Sequence, residues 1–233
     1  MLLAGAVGDG TTADVRLPPL SDAAVVFFSG TSAGSDGVIA HADDLSARLA
    51  PYGTRVVAIA DAQHTPPADL LPDHADALEA AQVARWDSLV ASGTPPYVDA
   101  SCAASGAAPW QCYDLTYVLT EHVTTPAFVR QDLRDVTDQA EKVGVTEDEF
   151  EVGAAGMLDR FAARGHGVYG PNCAQHVALE VTDWWRVHTV ADGAGTAWTL
   201  QDAVQAWFDG GTVAVRDEPV VGPGSGPASD CGP

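Results

Sequence analysis

The pentapeptide Gly30-Thr31-Ser32-Ala33-Gly34 constrains the fold more than any other stretch of the chain. It follows the apolar run Ala23-Ala24-Val25-Val26-Phe27-Phe28 and leads into a segment of helical period. A G-x-S-x-G pattern with a strand before it and a helix after it turns the chain through a sharp elbow, with serine at the apex. The serine backbone is strained there, and glycine at the flanking positions 30 and 34 removes Cβ atoms that would hold strand and helix apart. The hydroxyl then stands over the edge of a sheet. The amide of Ala33, at the positive end of the following helix, faces the place where an oxyanion would form. Residue identity excludes two other uses of a glycine-rich turn. A phosphate loop needs Lys and then Ser or Thr after its last glycine, where this chain has Ser35-Asp36-Gly37, and a dinucleotide fingerprint needs G-x-G-x-x-G. The remaining alternative is a structural serine in a tight turn.

Short apolar runs alternate with amphipathic stretches along the chain, the order of a parallel sheet covered by helices. Strands are expected at 24–28, 55–60 and 127–130, each rich in β-branched or aromatic residues. Helices are expected at 37–49, 74–91 and 147–164; in the last, Phe150, Ala154, Met157, Leu158 and Phe161 recur at spacings of three and four. A fourth starts at the Thr199 cap and ends at Gly210-Gly211. Residues 99–117 show no regular period and read as a loop or cap. From about Val213 the apolar pattern gives way to Pro, Gly and Ser, so residues 1–215 are expected to form one α/β domain and 216–233 a flexible tail. A chain of 233 residues that is 46% hydrophobic is long enough to bury one sizeable core.

With 11 Lys and Arg against 32 Asp and Glu, the formal charge is −21, which would repel nucleic acid and anionic lipid surfaces. Neither is expected as a partner. The start, MLLAGAVGDG, has no basic region and too short an apolar stretch to read as a signal peptide. Four cysteines form no CxxC pair, so no structural metal is expected. Cys102 and Cys112 lie close enough in sequence to close a local loop; if they do, the compartment is oxidising. Cys173 and Cys231 stay unassigned.

A serine at its ordinary pKa is a poor nucleophile and needs a histidine base, itself oriented by an acid. On an α/β-hydrolase sheet the chain order is Ser, then Asp or Glu, then His. Asp135 follows the strand at 127–130 through Gln131-Asp132-Leu133-Arg134, at the sheet end where open α/β folds carry functional groups, with Asp132 and Asp138 as competitors. His41, His64, His74 and His122 precede it. Of the later three, His166 reads as a helix-terminating loop residue and His188, after Trp184-Trp185, as packed or solvated. His176, in GPNCAQHVAL, sits where a Gly-Pro turn runs into apolar residues and ranks first.

These segments together resemble the pectinacetylesterase family, which includes the Notum-like carboxylesterases. SGTSAGSDGVIAHADDL is similar to the family's serine block, VVAIADAQHTPPAD to the strand-plus-Asp segment after it, TTPAFVRQDLRD to the block ending in the triad aspartate, and YGPNCAQHVAL to the histidine block. The resemblance spans about 25–210 and implies an α/β-hydrolase fold with Ser32, Asp135 and His176 as the triad. It also implies no cofactor, a cysteine-containing cap holding Trp86, Cys102, Trp110 and Cys112, and an extracellular or periplasmic location. The implied substrate is an acetylated glycan or an acylated small molecule; strong negative charge disfavours polyanionic pectin. The family carries more chain before its serine block, with a Gly-Gly-Gly loop completing the oxyanion hole, whereas only 31 residues precede Ser32. The N-terminal strands and that loop are therefore expected to be missing, and Asp36 stands where the family has glycine. The alternative expectation is a catalytically silent, shortened relative that binds a ligand through its cap.

Overall fold

The computed structural model describes residues 18–62, 64–93, 96–135, 144–180 and 184–220. Five strands build a parallel sheet in the order β1-β2-β3-β4-β7: β1 (Val25–Thr31), β2 (Arg55–Asp61), β3 (Ala127–Arg130), β4 (Gly167–Gly170) and β7 (Ala214–Arg216). β5 (Thr189–Ala191) and β6 (Ala197–Thr199) pair as a separate antiparallel hairpin. Helices flank the sheet, and the molecule is an α/β protein with a mostly parallel sheet.

Strands covered on both faces must be apolar on both, which is why the central ones read as unbroken runs. In β2 only Arg55 is exposed, and all four residues of β3 are buried. One face of the sheet, through Ala58, Ala60, Val129 and Val168, packs on α1 (Ala33–Leu49), α4 (Leu115–Glu121) and α5 (Glu147–Ala163). The other, through Val57, Ile59, Phe128 and Tyr169, packs on α6 (Trp184–Val187) and α7 (Leu200–Phe208). The helix termini are locally encoded. Thr146 and Glu149 form a capping box at the start of α5, and the Thr199 side chain accepts from the Asp202 amide at the start of α7.

Several expectations need correction. α1 begins at Ala33, directly after the elbow, rather than at 37. Residues 99–117 are not a patternless loop: they hold α3 (Ala100–Ser105), a 3₁₀ turn at Gln111–Tyr113 and the start of α4. Asp99 and Asp114 cap α3 and α4 by accepting from the amides two and three residues on, a signal present in the sequence. Cys102 and Cys112 are disulfide-bonded and tie α3 to the 3₁₀ turn. α2 (Ala75–Ala91) lies at its expected place.

Structure also extends past 213. β7 closes one side of the sheet with Val213 and Val215 buried, the Asp217 amide donates to Gly170 O at 2.8 Å, and Arg216 pairs with Asp159. Three residues with alternate burial are too short a pattern to stand out beside proline and glycine. The rest of the expected tail, with Cys231, lies outside the described residues. No described helix is long and apolar enough to cross a membrane.

Candidate active site

Ser32, Asp135 and His176 meet at the C-terminal edge of the sheet, following β1, β3 and β4 respectively. Ser32 has φ 50° and ψ −125°, a left-handed conformation rare outside glycine. The elbow is braced from β2: the Ser32 amide donates to Asp61 O at 2.9 Å, and the buried Ser35 hydroxyl donates to the same oxygen at 2.8 Å. The two glycines of the motif differ. A Cβ at Gly30 would lie 2.3 Å from Gly34 O, so only glycine lets α1 leave the strand at this angle. A Cβ at Gly34 would meet nothing within 4 Å, so the steric reason expected at both positions holds at Gly30 alone.

His176 bridges the other two groups. Its Nε2 lies 2.8 Å from Ser32 Oγ and its Nδ1 2.7 Å from Asp135 Oδ2. A carboxylate only accepts, so Nδ1 carries the hydrogen and the neutral ring leaves Nε2 to accept from the serine hydroxyl. Asp135 is 1% exposed, while the His176 side chain, 18% exposed, reaches the surface. Gln131 Nε2 donates to the same Asp135 oxygen at 3.1 Å, and Gln131 Oε1 accepts from the His64 amide. Ala33 is the first residue of α1 and is exposed; its amide belongs to the helix-terminal set that has no partner within the helix.

The competing residues have other partners. Asp132 pairs with Arg130, fully buried, and burial drives its carboxyl well above the usual range despite that partner. His41 stacks on Tyr97, His74 pairs with Glu149, His122 lies 3.3 Å from Ser101 Oγ, buried His166 Nε2 donates to Leu119 O, and His188 lies against Trp184 and Cys173 Sγ. Cys173 is itself disulfide-bonded. Asp138 and the glycines of residues 4–10 lie outside the described residues. Asp36, which stands where the resembled family has glycine, has Arg85 Nη2 at 3.5 Å. Sequence reasoning missed Arg130, Gln131 and any role for Asp61. The available signal was a charged residue closing each of two strands with apolar interiors. Among the described residues no group of three or more His, Cys, Asp or Glu could hold a metal ion.

His64, next to this network, is fully buried, and desolvation lowers its pKa from 6.5 to about 4. The folded state therefore holds His64 neutral while the unfolded chain protonates it below about pH 6.5. Its contribution is complete above that pH and is lost as pH falls toward 4, at about 1.4 kcal/mol per unit. Urea unfolding at pH 7 and pH 5 is expected to differ by about 2 kcal/mol more in the wild type than in His64→Gln. An equal difference in both proteins contradicts this.

No protein-family model matches the chain, and no curated protein matches it.

Proposed function

We propose that the chain is a serine carboxylic-ester hydrolase on an α/β-hydrolase fold, acting through an acyl-enzyme. The observation that carries the proposal is the relay from Ser32 Oγ through His176 to Asp135, at 2.8 and 2.7 Å, with the serine on a left-handed elbow. Ser32 attacks the ester carbonyl while His176 Nε2 takes its proton; the tetrahedral oxyanion is met by the Ala33 amide at the positive end of α1. Collapse expels the alcohol, which takes the proton back from Nε2. Water then enters by the same route and releases the acid. Asp135 holds the imidazole in the reactive tautomer and balances the charge it acquires. The motif order shared with pectinacetylesterases supports the same chemistry.

The charge of −21 favours a neutral acylated glycan or small acyl ester over a polyanion. A cavity of about 210 Å³ lies along α1 one turn and more beyond the elbow, lined by Asp36, Gly37, Ala40, His41, Tyr97 and Tyr113 among others; Ser32, Asp135 and His176 are not in its lining. With p-nitrophenyl acetate the chain is expected to release a burst of one equivalent of nitrophenol per protein molecule. A fluorophosphonate is expected to add its mass to the peptide containing Ser32. Labelling elsewhere, or no burst and no label, overturns the proposal.

A further inference from the structure

His176 lies in a stretch, residues 175–180, that belongs to no helix or strand. Its backbone groups lack a regular ladder to satisfy them, and they are met by side chains from the sheet. Arg130 Nη2 donates to Gln175 O and Nη1 to His176 O, each at 3.1 Å. Asp61 Oδ2 accepts from the amides of Ala178 and Leu179, each at 2.8 Å. At the end of the stretch the contact is side chain to side chain: Thr31 Oγ1 donates to Glu180 Oε1 at 2.9 Å. The three anchors are one row of the sheet: Thr31 is in register with Asp61, and Asp61 with Arg130. Each is the last residue of its strand, and residue 32 follows the first of them.

The row is locked within itself. Arg130 Nη1 also donates to Asp61 Oδ1 at 2.9 Å, its other arm pairs with Asp132, and its guanidinium lies 5.0 Å from the centre of the Trp184 ring. Arg130, Asp61 and Asp132 are all fully buried. Apolar residues of the same volume at such a site are often as stable or more so, which leaves fold stability a poor reason for a buried Arg130–Asp61 pair. What these two side chains do here is grip both flanks of the residue that bridges Ser32 and Asp135, while Asp132 holds the second arm of Arg130.

We infer that Arg130 and Asp61 are positioning residues, clamping the backbone on either side of His176 so that its imidazole spans Ser32 Oγ and Asp135. The kinetic part of this inference rests on the acyl-transfer reading; the structural part does not. A displacement of about 1 Å at a catalytic group costs on the order of 10²-fold in rate. Asp61→Asn can still accept from the Ala178 and Leu179 amides through one oxygen, but it turns its NH₂ on the Arg130 donor. Arg130→Lys keeps the charge and loses the fork that holds two carbonyls.

The test uses the full chain with ¹⁵N-labelled histidine, p-nitrophenyl acetate turnover and thermal unfolding. The His176 imidazole is assigned by its loss in His176→Gln. In Asp61→Asn, kcat is expected to fall on the order of 10²-fold with KM within about threefold, and the His176 Nδ1–H resonance to move or broaden. Arg130→Lys is expected to lie between that variant and the wild type. Folded Asp61→Asn with unchanged turnover and an unchanged imidazole resonance overturns the inference, as does a variant that only melts earlier with the resonance intact. A wild type without turnover, whose His176 resonance still moves in Asp61→Asn, sinks the esterase reading and leaves the clamp standing. If neither variant folds, wild-type hydrogen exchange decides: slow exchange at the Ala178 and Leu179 amides is expected, and exchange at the rate of an open loop overturns the clamp.

Discussion

Ser32→Ala is expected to lower kcat for p-nitrophenyl acetate by on the order of 10⁶-fold while leaving the unfolding midpoint within a degree or two. On the proposed esterase reading Ser32, His176 and Asp135 act as a unit, so deleting the hydroxyl removes nearly all that the three groups supply together. What survives is the contribution of binding and of the Ala33 amide. Neither depends on the hydroxyl, so the residual rate reports the strength of the oxyanion site directly. The fold should tolerate the change because the braces of the elbow are not on the serine side chain: the Ser32 amide and the Ser35 hydroxyl hold Asp61 O, and Gly30 admits α1. Alanine bears the same left-handed backbone at much the same cost. Equal rates from the two proteins, both folded by circular dichroism, would remove the esterase reading outright.

The elbow, the two central strands and the capped helices were legible because each carries a local signal. β2 and β3 are buried on both faces, so they appear as apolar runs, and α5 announces itself through Thr146 and Glu149. β4 was not legible for the opposite reason. It is Gly-Val-Tyr-Gly, and a Cβ at Gly167 would lie 2.5 Å from the Phe128 ring and 2.7 Å from Trp207, so packing forces glycine where strand propensity asks for a side chain. Helices α3 and α4 are only 6 and 7 residues long, leaving too few turns for a period to emerge. The three site residues could be ranked from motif order and their place after strands. Their support could not, because Arg130 and Asp61 have meaning only through strand register: 69 residues separate them along the chain and one row joins them in the sheet.

The register also bears on the second large effect. Asp135→Ala is expected to reduce kcat on the order of 10⁴-fold, since it removes both the orientation of His176 and the charge that stabilises its protonated form. Asp135→Asn should cost less, on the order of 10²- to 10³-fold. Two donors, His176 Nδ1–H and Gln131 Nε2–H, converge on the one oxygen Oδ2. An asparagine therefore gains most by placing its own oxygen there, which preserves the reactive tautomer while surrendering the negative charge. Adding Gln131→Leu to Asp135→Asn removes one of the two donors that hold the amide in that orientation. The double variant should then fall toward the alanine value. Steady-state rates for the four proteins check each step. If Asp135→Ala retains wild-type kcat, the carboxyl 2.7 Å from His176 takes no part in the reaction.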